Sequence, residues 1–195
     1  MTSTATSSGL YHEKQSLLRC GIHAINNLLQ EPAVDQRAMD AACEQLVQAD
    51  PSGGSTILSS WIWHPHRAPL GLGNYDVNVL MLVLQQKGFD MQWVNKTQRV
   101  TPETMDFDAV VGVLCNVITT GGLWRRILEQ RHWFAIRKID GLCFNLDSKL
   151  DEPMPFAGDD ECRRFLQELL DTGECELFIV RRVASQEVAS APREP

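Results

Sequence analysis

Cys20, His132 and the pair Asn145/Asp147 are the residues whose types and spacing could do chemistry. Cys20 opens residues 20–30, where Ile22, Ile25 and Leu29 fall on one face of a helix and Pro32 follows its end. A thiol at the first turn of a helix meets the partial positive charge of that terminus, which favours the nucleophilic thiolate. Leu17 and Leu18 lead into it, and Gly21 behind it leaves room for a substrate to approach. The same position also suits a buried structural cysteine. His132 begins the run His-Trp-Phe-Ala-Ile-Arg, the composition of a strand. A thiol needs a base to exchange its proton with, and histidine is the usual one. A strand-end histidine bonded to backbone is the alternative, and Trp133 beside it either shields the ring or is plain core.

A hairpin chooses the third member. Asp140-Gly141 is a strong two-residue turn. It pairs Ile139 with Leu142 and sets Ile136 opposite Asn145, Phe134 opposite Asp147 and His132 opposite Lys149. His132, Asn145 and Asp147 then share one face. Asp147 is the diagonal neighbour of His132, roughly 7–8 Å away between backbones, and Asn145 is one step further. The register therefore favours Asp147 as the group that orients the imidazole, with Asn145 as the alternative. A strand-end cap is the plain role for Asp147. Thiol acyl transfer also needs donors for an oxyanion. Gln15, five residues before Cys20, could supply one with the N–H of Cys20.

The surrounding elements have to bring these positions together. The chain has 195 residues, 44% hydrophobic and 22% charged, with a net charge of −7. That is one domain with enough apolar residues for a core, and it excludes disorder throughout. No long basic run exists, so nucleic acid is not an expected partner. The longest apolar stretches, 79–84 and 109–115, are far short of the roughly 20 residues of a membrane-spanning helix. Residues 1–10 and 184–195 are expected to be disordered, and the Ser/Thr-rich start is neither a signal peptide nor a mitochondrial presequence. Six cysteines without a C-x-x-C read as reduced thiols in the cytoplasm or nucleus. Cys20/His23 and His64/His66 are weak candidates for the paired ligands of structural zinc, and no metal or cofactor is expected.

After the first helix, Asp35 is placed to cap a second, with Met39, Cys43, Leu46 and Val47 as its apolar stripe. Residues 50–73 are rich in Pro, Gly and Ser around Trp61 and Trp63, the composition of a long insertion or arm. Val77, Leu80, Met81 and Leu84 give a third helix, stopped at Gly88. Strands are expected over 89–95, 109–117, 132–139, 142–147 and 175–182. A last helix is expected over 159–171, with Cys162, Phe165, Leu166 and Leu169 inward. Helices first and mostly strands afterwards suggest an α+β fold with an antiparallel sheet.

Three segments also carry a resemblance. Tyr11-His12-Glu13-Lys14-Gln15, Leu18-Arg19-Cys20 and His23-Ala24-Ile25-Asn26-Asn27-Leu28-Leu29-Gln30 resemble the opening of the Josephin domain. Arg131-His132-Trp133-Phe134 with Phe144-Asn145-Leu146-Asp147-Ser148 resembles its second signature. Gly73-Asn74-Tyr75-Asp76-Val77-Asn78-Val79 resembles the helix start of the short, single-domain members. The resemblance runs over residues 11–183. It implies a papain-like α+β fold: a helical subdomain with a helical arm, and an antiparallel sheet of five to six strands. It implies a cysteine protease that cleaves ubiquitin conjugates, with Cys20 as nucleophile, His132 as base, Asp147 as orienting residue and Gln15 as oxyanion donor. Substrate contact is expected at Trp133, Val79, Trp61 and Trp63. Asp147 departs from the ataxin type, which carries asparagine there, and Lys87 stands where that type has tryptophan. Expected partners are ubiquitin and its conjugates, met by a monomer. A ubiquitin-binding module with little turnover, and a small-molecule thiol hydrolase, are the competing readings.

Overall fold

The computed structural model describes residues 3–5, 9–15, 19–49, 75–119 and 130–183. The arm at 50–73, with Trp61 and Trp63, and the tail at 184–195 lie outside the described residues. Two short strands, β1 (Ser3–Ala5) and β2 (Tyr11–Glu13), pair antiparallel as a ribbon. Ser3–Ala5 were expected in a disordered lead-in. Backbone pairing needs no apolar side chains, so composition did not reveal them.

Two helices follow, α1 (Cys20–Leu29) and α2 (Gln36–Ala49). Gln30 ends α1 in the left-handed conformation. Asp35 caps α2 by accepting from the Ala38 N–H at 2.8 Å. Helix α3 (Val77–Gln86) starts where Asp76 accepts from the N–H groups of Asn78 and Val79. Its buried stripe is Val79, Leu80, Val83 and Leu84, whereas Met81, expected inward, is 40% exposed. The five apolar residues from Val79 to Val83 fit more than one helical face, and packing against α2 and β3 selected this one.

Strands β3 (Phe89–Trp93), β4 (Gly112–Thr119), β5 (Gln130–Ile139), β6 (Leu142–Asn145), β7 (Met154–Pro155) and β8 (Cys175–Arg182) form one six-stranded sheet in the order β3-β8-β4-β5-β6-β7. Every pairing is antiparallel. Helix α4 (Asp159–Asp171) precedes β8. The last strand enters the middle of the sheet, between β3 and β4, rather than closing an edge.

Both faces of the sheet are covered, so its central strands read as continuous apolar runs. Along β4, β5 and β8 the side chains alternate between two cores. Leu114, Trp133, Ala135, Phe178 and Val180 pack under α1, α2 and α3. Val113, Cys115, Phe134, Ile136, Leu177 and Ile179 pack with Cys162, Leu166 and Leu170 of α4. Gly112 lets α1 approach: a Cβ there would overlap the Ile136 carbonyl oxygen and stand 2.6 Å from Leu28 Cδ1.

Candidate active site

The Asp140-Gly141 turn has φ of 50° and 83°, the left-handed pair of a type I′ turn. It fixes the expected register, with Ile139 opposite Leu142 and Ile136 opposite Asn145. Leu146 still donates its N–H to the Ala135 carbonyl at 2.8 Å, after which the chain leaves the sheet. Asp147 therefore sits on a turn rather than in a strand. Asn145 shapes that turn by accepting the Asp147 N–H at 3.0 Å. The carboxylate comes to lie 2.7 Å from His132 Nε2, Oδ1 accepting. The same oxygen accepts the Lys149 N–H at 2.9 Å.

Cys20 is the first residue of α1, and its side chain hydrogen-bonds the His132 ring. With Nε2 engaged by Asp147, Nδ1 is the nitrogen left to meet the thiol. Burial disfavours a charge on His132, but the hydrogen bonds and Coulomb attraction of Asp147 and Cys20 outweigh it, so its pKa lies above the ordinary 6.5. Burial alone would raise the Asp147 pKa. The hydrogen bond to His132 and the attraction of its charge more than reverse that, and the carboxyl titrates below its ordinary 3.8.

Helix α1 can hold Cys20 because it is buried from Cys20 to Leu28. Gly21 does not open a path for substrate, as its position beside Cys20 suggested. It faces the core, where a Cβ would meet Leu80, Met39 and Trp133. The polar residues of this helix bind the segment ahead of it. Glu13 accepts from His23 Nδ1 at 2.6 Å, from Asn26 Nδ2 at 3.1 Å and from the Tyr11 hydroxyl. Asn27 accepts the Glu13 N–H at 2.6 Å and donates to the Glu13 and Leu146 carbonyls. Gln30 brackets Tyr11, accepting its N–H and donating to its carbonyl. Gln15 then donates its N–H to the Ser148 carbonyl at 2.8 Å, which puts it beside the Asp147 turn. Reasoning on chemistry alone weighed His23 only as a zinc ligand and passed over Glu13, Asn26, Asn27 and Gln30. Their signal is four polar side chains at helical spacing on an otherwise apolar helix.

Of the residues expected at the substrate surface, Val79 is 0% and Trp133 1% exposed. Both are core: Val79 packs in the α1–α3 cluster, and Trp133 donates its indole N–H to the Tyr75 carbonyl at 3.2 Å and packs on Phe178. Neither presents a surface here. Trp61 and Trp63 lie outside the described residues. The other five thiols are buried as well. Burial pushes Cys115 well up and Cys175 up to about 12, and a hydrogen bond with Cys143 together with burial raises Cys162. Three of the alternative thiols are thus held protonated.

The arrangement is that of a thiol able to exchange its proton with a carboxylate-oriented imidazole. Comparisons with known proteins give the family. The Josephin family profile matches residues 15–181. Josephin-2 of Mus musculus is 38% identical over 173 residues, covering 88% of this chain and 85% of its own. A Josephin-like protein of Drosophila melanogaster is 35% identical over 182 residues, 91% of this chain and 76% of its own. Ataxin-3 of Rattus norvegicus is 24% identical over 180 residues, 88% of this chain and 46% of its own. With both signatures, the α+β sheet and the profile in agreement, the chain belongs to the Josephin family of deubiquitinase-type thiol proteases.

Proposed function

We propose that this chain hydrolyses the amide or isopeptide bond at the C-terminus of ubiquitin, with Cys20, His132 and Asp147 as its catalytic residues. The observation that carries the reading is one imidazole, His132, engaged by both Cys20 and the Asp147 carboxylate. Cys20 passes its proton to His132, and Sγ attacks the scissile carbonyl carbon. The oxyanion is received by the Gln15 side-chain amide and the Cys20 N–H. The imidazolium, stabilised by Asp147, protonates the leaving amine as the C–N bond breaks, which leaves a thioester on Cys20. His132 then takes a proton from water, and the hydroxide equivalent releases the ubiquitin carboxylate and the free thiol. The arginine-bearing, basic tail of ubiquitin suits the net negative charge of this chain. The reading extends to a monomer acting in the cytoplasm or nucleus, where all six cysteines stay reduced; they are free here.

The test is a ubiquitin probe with a C-terminal electrophile, followed by peptide mapping. Wild-type protein is expected to be modified at Cys20 and to turn over a ubiquitin–fluorophore amide. Cys20→Ala is expected to fold normally and lose both activities. Turnover retained in Cys20→Ala overturns the assignment. Reversible association with Cys20 unmodified makes the chain a binding module. Turnover of activated esters without ubiquitin amides makes it a small-molecule thiol hydrolase.

A further inference from the structure

His12 is fully buried, at 0% exposure, in β2. Its Nε2 lies 3.1 Å from the main-chain carbonyl oxygen of Asp147. A carbonyl only accepts, so the ring carries its proton on Nε2 and donates it there. Nδ1 is then buried with nothing to pair with among the described residues. A half-satisfied imidazole at zero exposure is a poor choice for filling space: leucine or phenylalanine would pack there without an orphaned nitrogen. What the imidazole adds is the bond to the Asp147 carbonyl.

That bond falls where the sheet stops holding the chain. The last bond from this end of β6 to β5 is made by the Leu146 N–H. Beyond it, side chains pin the backbone of Asp147 from both sides. Asn145 Oδ1 takes its N–H, and its carbonyl accepts from His12 Nε2 and from the Leu150 N–H at 2.9 Å. The carboxylate that orients His132 thus projects from a residue clamped at both backbone polar groups. The bonds from Asn145 and Leu150 are local. The bond from His12 reaches across 135 residues of sequence, from the segment that also carries Gln15.

We propose that His12 is a positioning residue, which holds the Asp147 carboxylate on His132 through the Asp147 main-chain carbonyl. This rests on the proposed thiol hydrolase mechanism in one respect, that Asp147 orients His132. Glutamine at position 12 places its amide N–H near the Nε2 position. Leucine keeps the bulk and removes the donor. His12→Leu is expected to lower kcat on a ubiquitin–fluorophore amide about 10- to 100-fold with KM nearly unchanged. It is also expected to lower the pKa of His132, read by NMR titration of its ring, because a loosened carboxylate supports the imidazolium less. His12→Gln is expected to restore most of both. Thermal melts establish that each variant is folded. If His12→Leu fails to fold, His12→Asn takes its place, since its amide stops one bond short of the carbonyl. A His132 titration identical to wild type in the donor-less variant overturns the proposal. So does a His12→Gln as impaired as the donor-less variant. Wild-type protein that leaves ubiquitin amides uncleaved counts against the proposed activity, while the His132 titration still decides the role of His12.

Discussion

Oδ1 of Asp147 accepts from both His132 Nε2 and the Lys149 N–H, so the carboxylate does not swing when the imidazole changes charge. Its hydrogen bond and charge help lift the His132 pKa above 6.5 against the opposing effect of burial. A raised pKa keeps the imidazolium to higher pH, and it is lost as pH rises through that value. Asp147→Asn removes the charge but keeps the shape. The alkaline limb of kcat/KM against pH is therefore expected to move toward lower pH, and kcat to fall by about 10²-fold or more. An unmoved alkaline limb would show that the carboxylate does not support His132. Asn145→Ala is expected to cost less, because it frees the turn but leaves the carboxylate in place. Single-turnover kinetics compare the two. A larger loss of the chemical step in Asn145→Ala passes the orienting role to Asn145.

Helix α1 brings the thiol to the sheet, and Leu28 of this helix packs directly over Gly112 of β4. An added Cβ would overlap the backbone oxygen of Ile136, which has no side-chain freedom to yield, and crowd the buried end of the Leu28 side chain. Gly112→Ala is expected to destabilise the fold by about 1–3 kcal/mol through overpacking, measured as a lower urea midpoint. A midpoint equal to wild type would mean that both β5 and α1 give way to the added methyl. The helices and strands themselves were legible from local pattern. Residues 159–171 and 175–182 match α4 and β8, because caps, periodicity and β-branched runs act within a few residues. Strand β6 stops at Asn145 rather than Asp147, where the chain turns and the Asn145 side chain accepts the Asp147 N–H. Such a local side-chain-to-backbone bond is not visible in apolar alternation.

Across the whole molecule, several carboxylates are tied into the structure at long range. Glu13 is bonded to α1, Asp147 to β5, and Asp159 to Lys138 at 2.9 Å. Burial opposes ionisation of all three. Hydrogen bonds from His23, His132 and Lys138 respectively, with their Coulomb attraction, still hold each below its ordinary value of 4.5, 3.8 and 3.8. A depressed carboxylate pKa contributes stability that is fully present above the unfolded value and is lost as pH falls through the folded one. Urea midpoints are expected to hold steady down to those ordinary values and to fall steeply below them. The effect of Glu13→Gln should be largest near neutral pH and shrink in acid. A midpoint gap between Glu13→Gln and wild type that stays constant with pH would remove Glu13 from that account.

The sequence by itself determined the helices and main strands, the hairpin register and the pairing of His132 with Asp147. Each follows from interactions between near neighbours: a two-residue turn with forced positive φ, side-chain alternation, and capping chemistry. It also carried the family, because the signatures are made of short runs of neighbouring residues. Only the tertiary structure decided that β8 enters the middle of the sheet, that Met81 faces out while Val79 and Trp133 are core, and that Gly21 faces the core. It alone brought Glu13, His12 and Gln15 to α1 and the Asp147 turn. Those contacts join positions more than a hundred residues apart, or α1 to the segment ahead of it, and they satisfy buried polar groups. Which donor meets which acceptor there depends on how the ribbon, the helix and the sheet pack, and no local pattern in the chain encodes that choice.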